Sequence, residues 1–234
     1  MSGIQIGEKH TEKDWGLIWT DFKITAPEAQ TTTIQIPGRD GLLDLTEALG
    51  DRIRFNNRTL SFTFVLYDKD MKKWHKTYSN ISNYCHGKVK DIILDTDEEY
   101  YWNGRCVCES TKEDARYSSI IISVDAHPYK RGVTSTVDDW LWDPFSFEDG
   151  IAQTLKNINF TDTLSIPVFG FNINTAIKIT CNKAMQLEHE SKWYHLQAGE
   201  NALKELKLQA GENTFKFTCT GNGAVTIDFR EERL

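Results

Sequence analysis

Apolar and polar residues alternate through residues 59–67, placing Leu60, Phe62, Phe64 and Leu66 on one face of a half-buried strand. The period then changes. Trp74, Tyr78, Ile81 and Cys85 fall at i, i+4, i+7 and i+11, one stripe of an α-helix, and Gly87 stands where a C′ glycine would end it. Every other apolar pattern is strand-like, so this is the one helix the sequence predicts. Residues 15–24 read as a strand with Ile18, Phe22 and Ile24 on one side and Leu17 and Trp19 on the other, apolar enough at its start to be covered on both faces. Residues 31–36, 89–94 and 117–124 are further strands. Asn103-Gly104, set between Tyr100-Tyr101-Trp102 and residues 105–109, predicts a type I′ hairpin, because both central residues of that turn need φ > 0.

Between two of these strands lies Pro37-Gly38-Arg39-Asp40-Gly41. Two glycines that take φ > 0 and a proline that cannot donate to a ladder force a turn there. Leu42, Leu43, Leu45 and Leu49 follow and call for burial, with Gly50 ruling out more than a helical turn. By itself the stretch is a structural turn with Arg39 and Asp40 solvated.

Composition shifts after residue 130. Residues 131–143 are polar and acidic around Trp140 and Trp142, and form the best domain boundary in the chain, dividing 1–131 from 132–234. Beyond it, residues 164–169, 176–181, 214–218 and 224–229 are short strands separated by Gly and Asn turns, the spacing of a β-sandwich. Leu196-Gln197-Ala198-Gly199-Glu200-Asn201 returns as Leu208-Gln209-Ala210-Gly211-Glu212-Asn213, a duplication of one strand and turn. Two copies are too few for a solenoid.

The 234 residues are 39% hydrophobic and 12% aromatic, too apolar for disorder, and suffice for two domains. A formal net charge of −7 gives no footprint of a nucleic-acid binder. The densest basic cluster, Lys69, Lys72, Lys73 and Lys76 around Trp74 and His75, reads as the wet side of the helix. Five cysteines, Cys85, Cys106, Cys108, Cys181 and Cys219, include no CxxC pair, so reduced buried thiols are expected rather than zinc, for which His86 or His127 would have to contribute at no recognisable spacing. Cys106 and Cys108 share one strand face. The carboxylates of residues 95–99 lack the glycine and terminal glutamate of an EF-hand loop and are expected to be a solvated turn. No signal peptide opens the chain and no apolar run approaches the length of a membrane span, so folding in a cytoplasm without membrane insertion is expected. No nucleophile elbow, P-loop, dinucleotide fingerprint or zinc-protease motif is present, and His127 and His195 have no nucleophile beside them. Neither an enzyme nor a cofactor is implied.

Several phrases, taken in order, do point somewhere. Trp19 with its strand, the Ile36-Pro37-Gly38-Arg39-Asp40-Gly41 turn with Leu43-Asp44-Leu45-Thr46, and Asn57-Arg58-Thr59-Leu60 come first. His86-Gly87-Lys88, Asn103-Gly104-Arg105 and Asp125-Ala126-His127-Pro128-Tyr129-Lys130 follow. As a set this resembles the distal tail (Dit) protein family of phages with long non-contractile tails. The resemblance implies a mainly β chain, an N-terminal β-barrel or sandwich-like domain with one α-helix followed by a galectin-like or carbohydrate-binding-module-like β-sandwich. It also implies a structural virion protein, six copies in a ring at the distal end of the tail, assembled in the bacterial cytoplasm. Its partners would be the tail tube protein, a tail-associated tip protein and a receptor-binding or adhesin protein. DNA would slide through the ring without specific binding, which suits the negative charge. Pro37, Gly38, Arg39, Asp40 and Gly41 would be structural or interface residues. The galectin His-Asn-Arg sugar-binding signature is absent. The alternative is a stand-alone carbohydrate-binding β-sandwich with Trp140, Trp142 or Trp193 as a stacking platform, distinguished by Trp-dependent glycan affinity in a persistent monomer. A tail-associated hydrolase is disfavoured by the missing nucleophile and metal motifs.

Overall fold

The computed structural model describes residues 3–48, 53–66, 71–112, 118–138, 153–170, 177–203, 205–206 and 208–234. The chain divides into two compact units, one built mainly from the first 130 residues and the other from Glu98–Tyr100 with Arg131–Arg233. It is mainly β.

The first unit opens with β1 (Ile4–Ile6), β2 (Lys9–His10), α1 (Thr11–Trp15) and β3 (Ile18–Ile24). A small hairpin, β4 (Thr33–Gln35) with β5 (Leu42–Asp44), precedes β6 (Arg58–Val65), α2 (Met71–Cys85), β7 (Val89–Leu94), β8 (Asp97–Lys112) and β9 (Ser118–Ala126). Among the described residues the main sheet runs β2-β1-β7-β8-β9-β6-β3. The alternation read in the sequence sets its core: Leu60, Phe62 and Phe64 are fully buried beside Ile120, Ile122 and Val124 of the neighbouring strand. The apolar stripe of α2, with Trp74, Ile81 and Cys85, lies in the same core, while Lys72, Lys73, His75 and Lys76 face solvent. Gly87 ends the helix at φ 72°, and its N–H donates to the carbonyl of Cys106 on β8 instead of back into the helix.

Three expectations fail here for identifiable reasons. First, Asn103-Gly104 is not a turn but lies inside β8, paired with Asp91 and Lys90 on β7. A Cβ on Gly104 would stand 2.5 Å from the Asp125 carbonyl oxygen and 2.6 Å from Ala126 Cα, so this glycine serves close strand packing rather than positive φ. The β7–β8 hairpin turns instead at Asp95-Thr96, since Leu94 pairs with Asp97. Second, a bulge between Trp19 and Asp21 resets the alternation of β3. Trp19 and Phe22 then both sit opposite core residues, Phe64 and Phe62, while Ile18 turns outward and is exposed. Third, α1 is a second helix that the sequence did not announce. Its N-cap is His10, whose Nδ1 accepts from the N–H groups of Glu12 and Lys13 at 3.2 Å each. Histidine is outside the usual N-cap set.

With Nδ1 accepting, Nε2 carries the proton and donates to Asp95 at 3.1 Å. Asp95 also accepts from the Gly3 N–H at 2.6 Å, tying the start of the chain to the β7–β8 turn. Desolvation raises the pKa of Asp95, but the Gly3 and His10 bonds outweigh it, and the carboxyl is held below its ordinary value. A depressed carboxyl contributes stability that is present above its unfolded pKa and lost as pH falls through the folded one. Urea unfolding from pH 7 downward is therefore expected to show a decline below about pH 4 that is shallower in Asp95→Asn. Parallel curves would refute the assignment.

The second unit contains β10 (Lys130–Ser135), β11 (Ile158–Gly170), β12 (Ile177–Cys181), β13 (Met185–His189), β14 (Lys192–Leu196), β15 (Gly199–Leu203), β16 (Gly211–Asp228) and β17 (Arg230–Arg233). One sheet runs β14-β13-β16-β12-β15, with β11 also on β16. The two strands expected within residues 214–229 are one. Gly221, at φ 71°, does not end β16, because its N–H donates to Asp162 at the matching irregularity of β11 and pairing resumes beyond it. β16 then changes partners along its length, from β13 at Lys216 to β12 at Val225. Phe215, Phe217, Val225 and Ile227 thereby enter one core with Ile177, Ile179 and Leu187.

The sequence repeat is a repeated hydrogen-bond motif. Asn201 Oδ1 accepts from the Gln197 N–H at 2.9 Å, and its amide donates to the carbonyls of Gln197 and Gly199. Asn213 does the same to Gln209 and Gly211, with the first bond at 2.8 Å. Gly199 and Gly211 hold matching φ values of 98° and 92°. The two loops differ in burial: Asn213 is buried and Asn201 half-buried. Leaving buried backbone groups unpaired costs about 1–3 kcal/mol each, so Asn213→Ala is expected to lose about 3 kcal/mol by denaturant unfolding and Asn201→Ala about 1. Equal losses would show that burial does not separate the loops.

Candidate functional site

Residues 25–48 and 53–57, between β3 and β6, form an arm outside the first unit's main sheet. At its base Gln30 N–H donates to Arg54 O and Asn56 N–H to Glu28 O, both at 2.8 Å. Further out, Thr32 accepts from Leu45 N–H at 2.8 Å, and Asp44 binds both the N–H and the hydroxyl of Thr46. Hydrogen bonds from Thr46 hold the Asp44 carboxyl below its ordinary value. The β4–β5 hairpin then pairs Ile34 with Leu43 and Gln35 with Leu42.

Pro37, Gly38, Arg39, Asp40 and Gly41 form the tip, all exposed, with Gly38 and Gly41 at φ 82° and 77°. The turn read in the sequence is present. The burial expected after it is not. Leu42 is 62% exposed, Ile34 48% and Ile36 36%, while Leu43 and Leu45 are half-buried and Leu49 lies outside the described residues. Among the described residues, none of the arm belongs to either hydrophobic core. A hairpin of three-residue strands is too short to form a core, and an isolated hairpin is marginal in water. Exposed aliphatic groups on a hydrogen-bonded hairpin are therefore surface available for docking.

The arm's root, by contrast, is firmly built. Arg58 is buried, its Nε donating to Thr25 O at 2.8 Å and its Nη1 to Pro128 O at 3.2 Å. Burial lowers the guanidinium pKa. Phe55 packs edge-on against Tyr129 at 6.1 Å, and His127 against Tyr129 at 5.6 Å. Two phrases of the resemblance, residues 57–60 and 125–130, thus meet at the root, about seventy positions apart in the chain. Beside the arm, β3 is an edge strand with Phe22 52% exposed. Sequence reasoning found the tip and missed Phe22, Ile34, Ile36 and Leu42. No sequence signal marked them: residues 31–36 read as an ordinary strand, and only the structure shortens it to Thr33–Gln35.

Of the proposed aromatic platform, Trp193 is exposed on β14, opposite Glu188 of β13, while Trp140 and Trp142 lie outside the described residues. Among the described residues no three His, Cys, Asp or Glu side chains gather as metal ligands. No described helix is long and apolar enough to cross a membrane.

No family model matches the chain, and no curated protein matches it by sequence. Comparison with solved structures finds the crystal structure of the Dit (gp 19.1) protein of phage SPP1, with a TM-score of 0.67 and 12% sequence identity over 100% of both chains. The chain has the fold of SPP1 Dit. That protein is described as a paradigm of the hub adsorption apparatus in phages infecting Gram-positive bacteria. The Dit-like fold runs through both units, including the sandwich strands whose sequence carries little of the resemblance.

Proposed function

We propose that this chain is the distal tail hub of a long non-contractile phage or prophage tail, a structural protein of the virion. Six copies close a ring that joins the tail tube to the tip and its adhesion proteins, and DNA passes through without specific contacts. The observation that carries this reading is the end-to-end match to a tail hub protein. The arm supports it physically. Apolar side chains displayed on a hairpin with a rigid root suit an element that seats on an adjacent subunit, and each contact of a closed ring repeats the same pair of surfaces. In this reading the second unit carries the adhesion partners.

Light scattering across a wide concentration range, alone and with the tail tube protein, tests the reading. Six copies of the 26.9 kDa chain, or a stacked pair of such rings, is the expected mass. A monomer under both conditions that also fails to bind the tube protein would overturn it.

A further inference from the structure

The first unit holds a thiol pair that the hub reading leaves unused. Cys85, in the last turn of α2, and Cys108, on β8, place their sulfurs 3.0 Å apart. Both are buried, Cys85 at 0% and Cys108 at 4% exposure. The pair sits where the helix is seated on the sheet. Tyr78 Oη donates to Cys108 O at 3.4 Å, and Cys108 N–H donates to His86 Nδ1 at 3.0 Å. These contacts fix both backbones, so the sulfurs need close by only about 1 Å to reach bonding distance.

From this geometry we infer that Cys85 and Cys108 are a modification site, a dithiol that a hydroperoxide converts to a disulfide stapling α2 to β8. Cys85 is the attacking sulfur. Its pKa is lowered, chiefly by the bond from Cys108, with Lys90 and Lys88 adding to the effect, whereas Cys108 is raised. The Cys85 thiolate attacks one peroxide oxygen and the O–O bond breaks. The hydroxide released takes up the proton that Cys85 gave up, and leaves as water. The resulting Cys85 sulfenic acid is attacked by Cys108, which loses its proton as the S–S bond forms, and the sulfenic oxygen departs as a second water. Two thiols and one molecule of hydrogen peroxide thus give one disulfide and two waters. Hydrogen peroxide is small enough to reach buried sulfur through local opening of the helix end.

The neighbouring cysteines do not compete. Cys106 lies two residues from Cys108 on the same strand, and burial pushes its thiol up to about 12. In the second unit, burial raises Cys181 to about 11. The pair therefore oxidises ahead of Cys106 and Cys181.

The test uses the whole chain treated with hydrogen peroxide, quenched, unfolded, alkylated and digested for mass spectrometry. The expected result is a linked peptide joining Cys85 to Cys108 about 2 Da lighter than its two parts, with Cys106 and Cys181 alkylated. In Cys108→Ser the intermediate cannot be resolved, and a dimedone adduct is expected on Cys85. Five alkylated cysteines after exposure that fully oxidises a free thiol peptide, or links between other pairs, would overturn the proposal. The mapping on unaltered protein does not depend on any variant folding, nor on whether the chain assembles.

Discussion

On the ring reading proposed above, Ile34→Asp combined with Leu42→Asp is expected to abolish self-assembly while leaving the folded subunit unchanged. The two residues lie on opposite faces of the β4–β5 hairpin, since Ile34 pairs with Leu43 and Leu42 with Gln35. Neither belongs to a hydrophobic core, so the subunit loses no core packing when they change. An interface that buries them gains about 1.5–3 kcal/mol from each aliphatic side chain, and a buried aspartate adds a desolvation penalty. Together these weaken each subunit contact by at least about a hundredfold, and a closed ring multiplies the loss around its circumference. Light scattering should report a monomer. The thermal midpoint should stay within about 2 °C of the parent diluted until it is monomeric. An intact ring would show that the arm faces solvent in the assembly. A large fall in midpoint would show that the hairpin supports the subunit itself.

Gly104→Ala should have the opposite signature, a damaged subunit. Gly104 pairs with Lys90 on one side and Ala126 on the other, so β8 is hemmed in by β7 and β9. The added methyl would meet the Asp125 carbonyl oxygen at 2.5 Å, Ala126 Cα at 2.6 Å and Val124 Cγ1 at 2.6 Å. Two of the three are backbone and cannot rotate away. Relief requires the strands to part, which breaks ladder bonds, and overpacking of this kind costs about 3 kcal/mol. For a chain of this size that lowers the midpoint by roughly 6–12 °C. Gly38→Ala is the control. That glycine has φ 82° but open space around its Cβ position, so only the backbone penalty of about 1 kcal/mol applies. If both substitutions cost the same, close strand packing is not the reason for Gly104.

These two glycines also show how far the sequence could be read. Where local preference and tertiary demand agree, the pattern sufficed. The alternation in β6, the stripe of α2 with its closing Gly87, and the turn at residues 37–41 all have local causes. Asn103-Gly104 carries the chemistry of a hairpin turn, but a central strand needed a residue without a side chain at that position, and the demand came from β9, more than twenty residues later. Gly221 within β16 follows the same logic, because the irregularity that accommodates it lies in β11. The bulge in β3 leaves no mark on composition, yet it moves Trp19 and Phe22 to the same side. For α1, the capping group is an imidazole whose tautomer is set by Asp95, eighty-five residues away. At the candidate site, the tip was visible and the exposure of its flanks was not. Burial of an aliphatic residue is inferred from its type, and only the three-dimensional isolation of the hairpin reverses that inference.

The main stretch of the second unit, Arg131–Arg233, begins and ends at one place. β10, with which it starts, pairs with β17, with which it finishes, and Arg131 Nε meets Glu232 Oε1 at 2.9 Å, with Glu232 buried. The roughly one hundred residues between leave and rejoin through two adjacent strands. A segment anchored in this way can be exchanged as a cassette. Recombination that preserved only the two paired strands could replace everything between them, and a different module would inherit a ready-made attachment. For engineering, the same two strands mark where a foreign binding domain should be spliced.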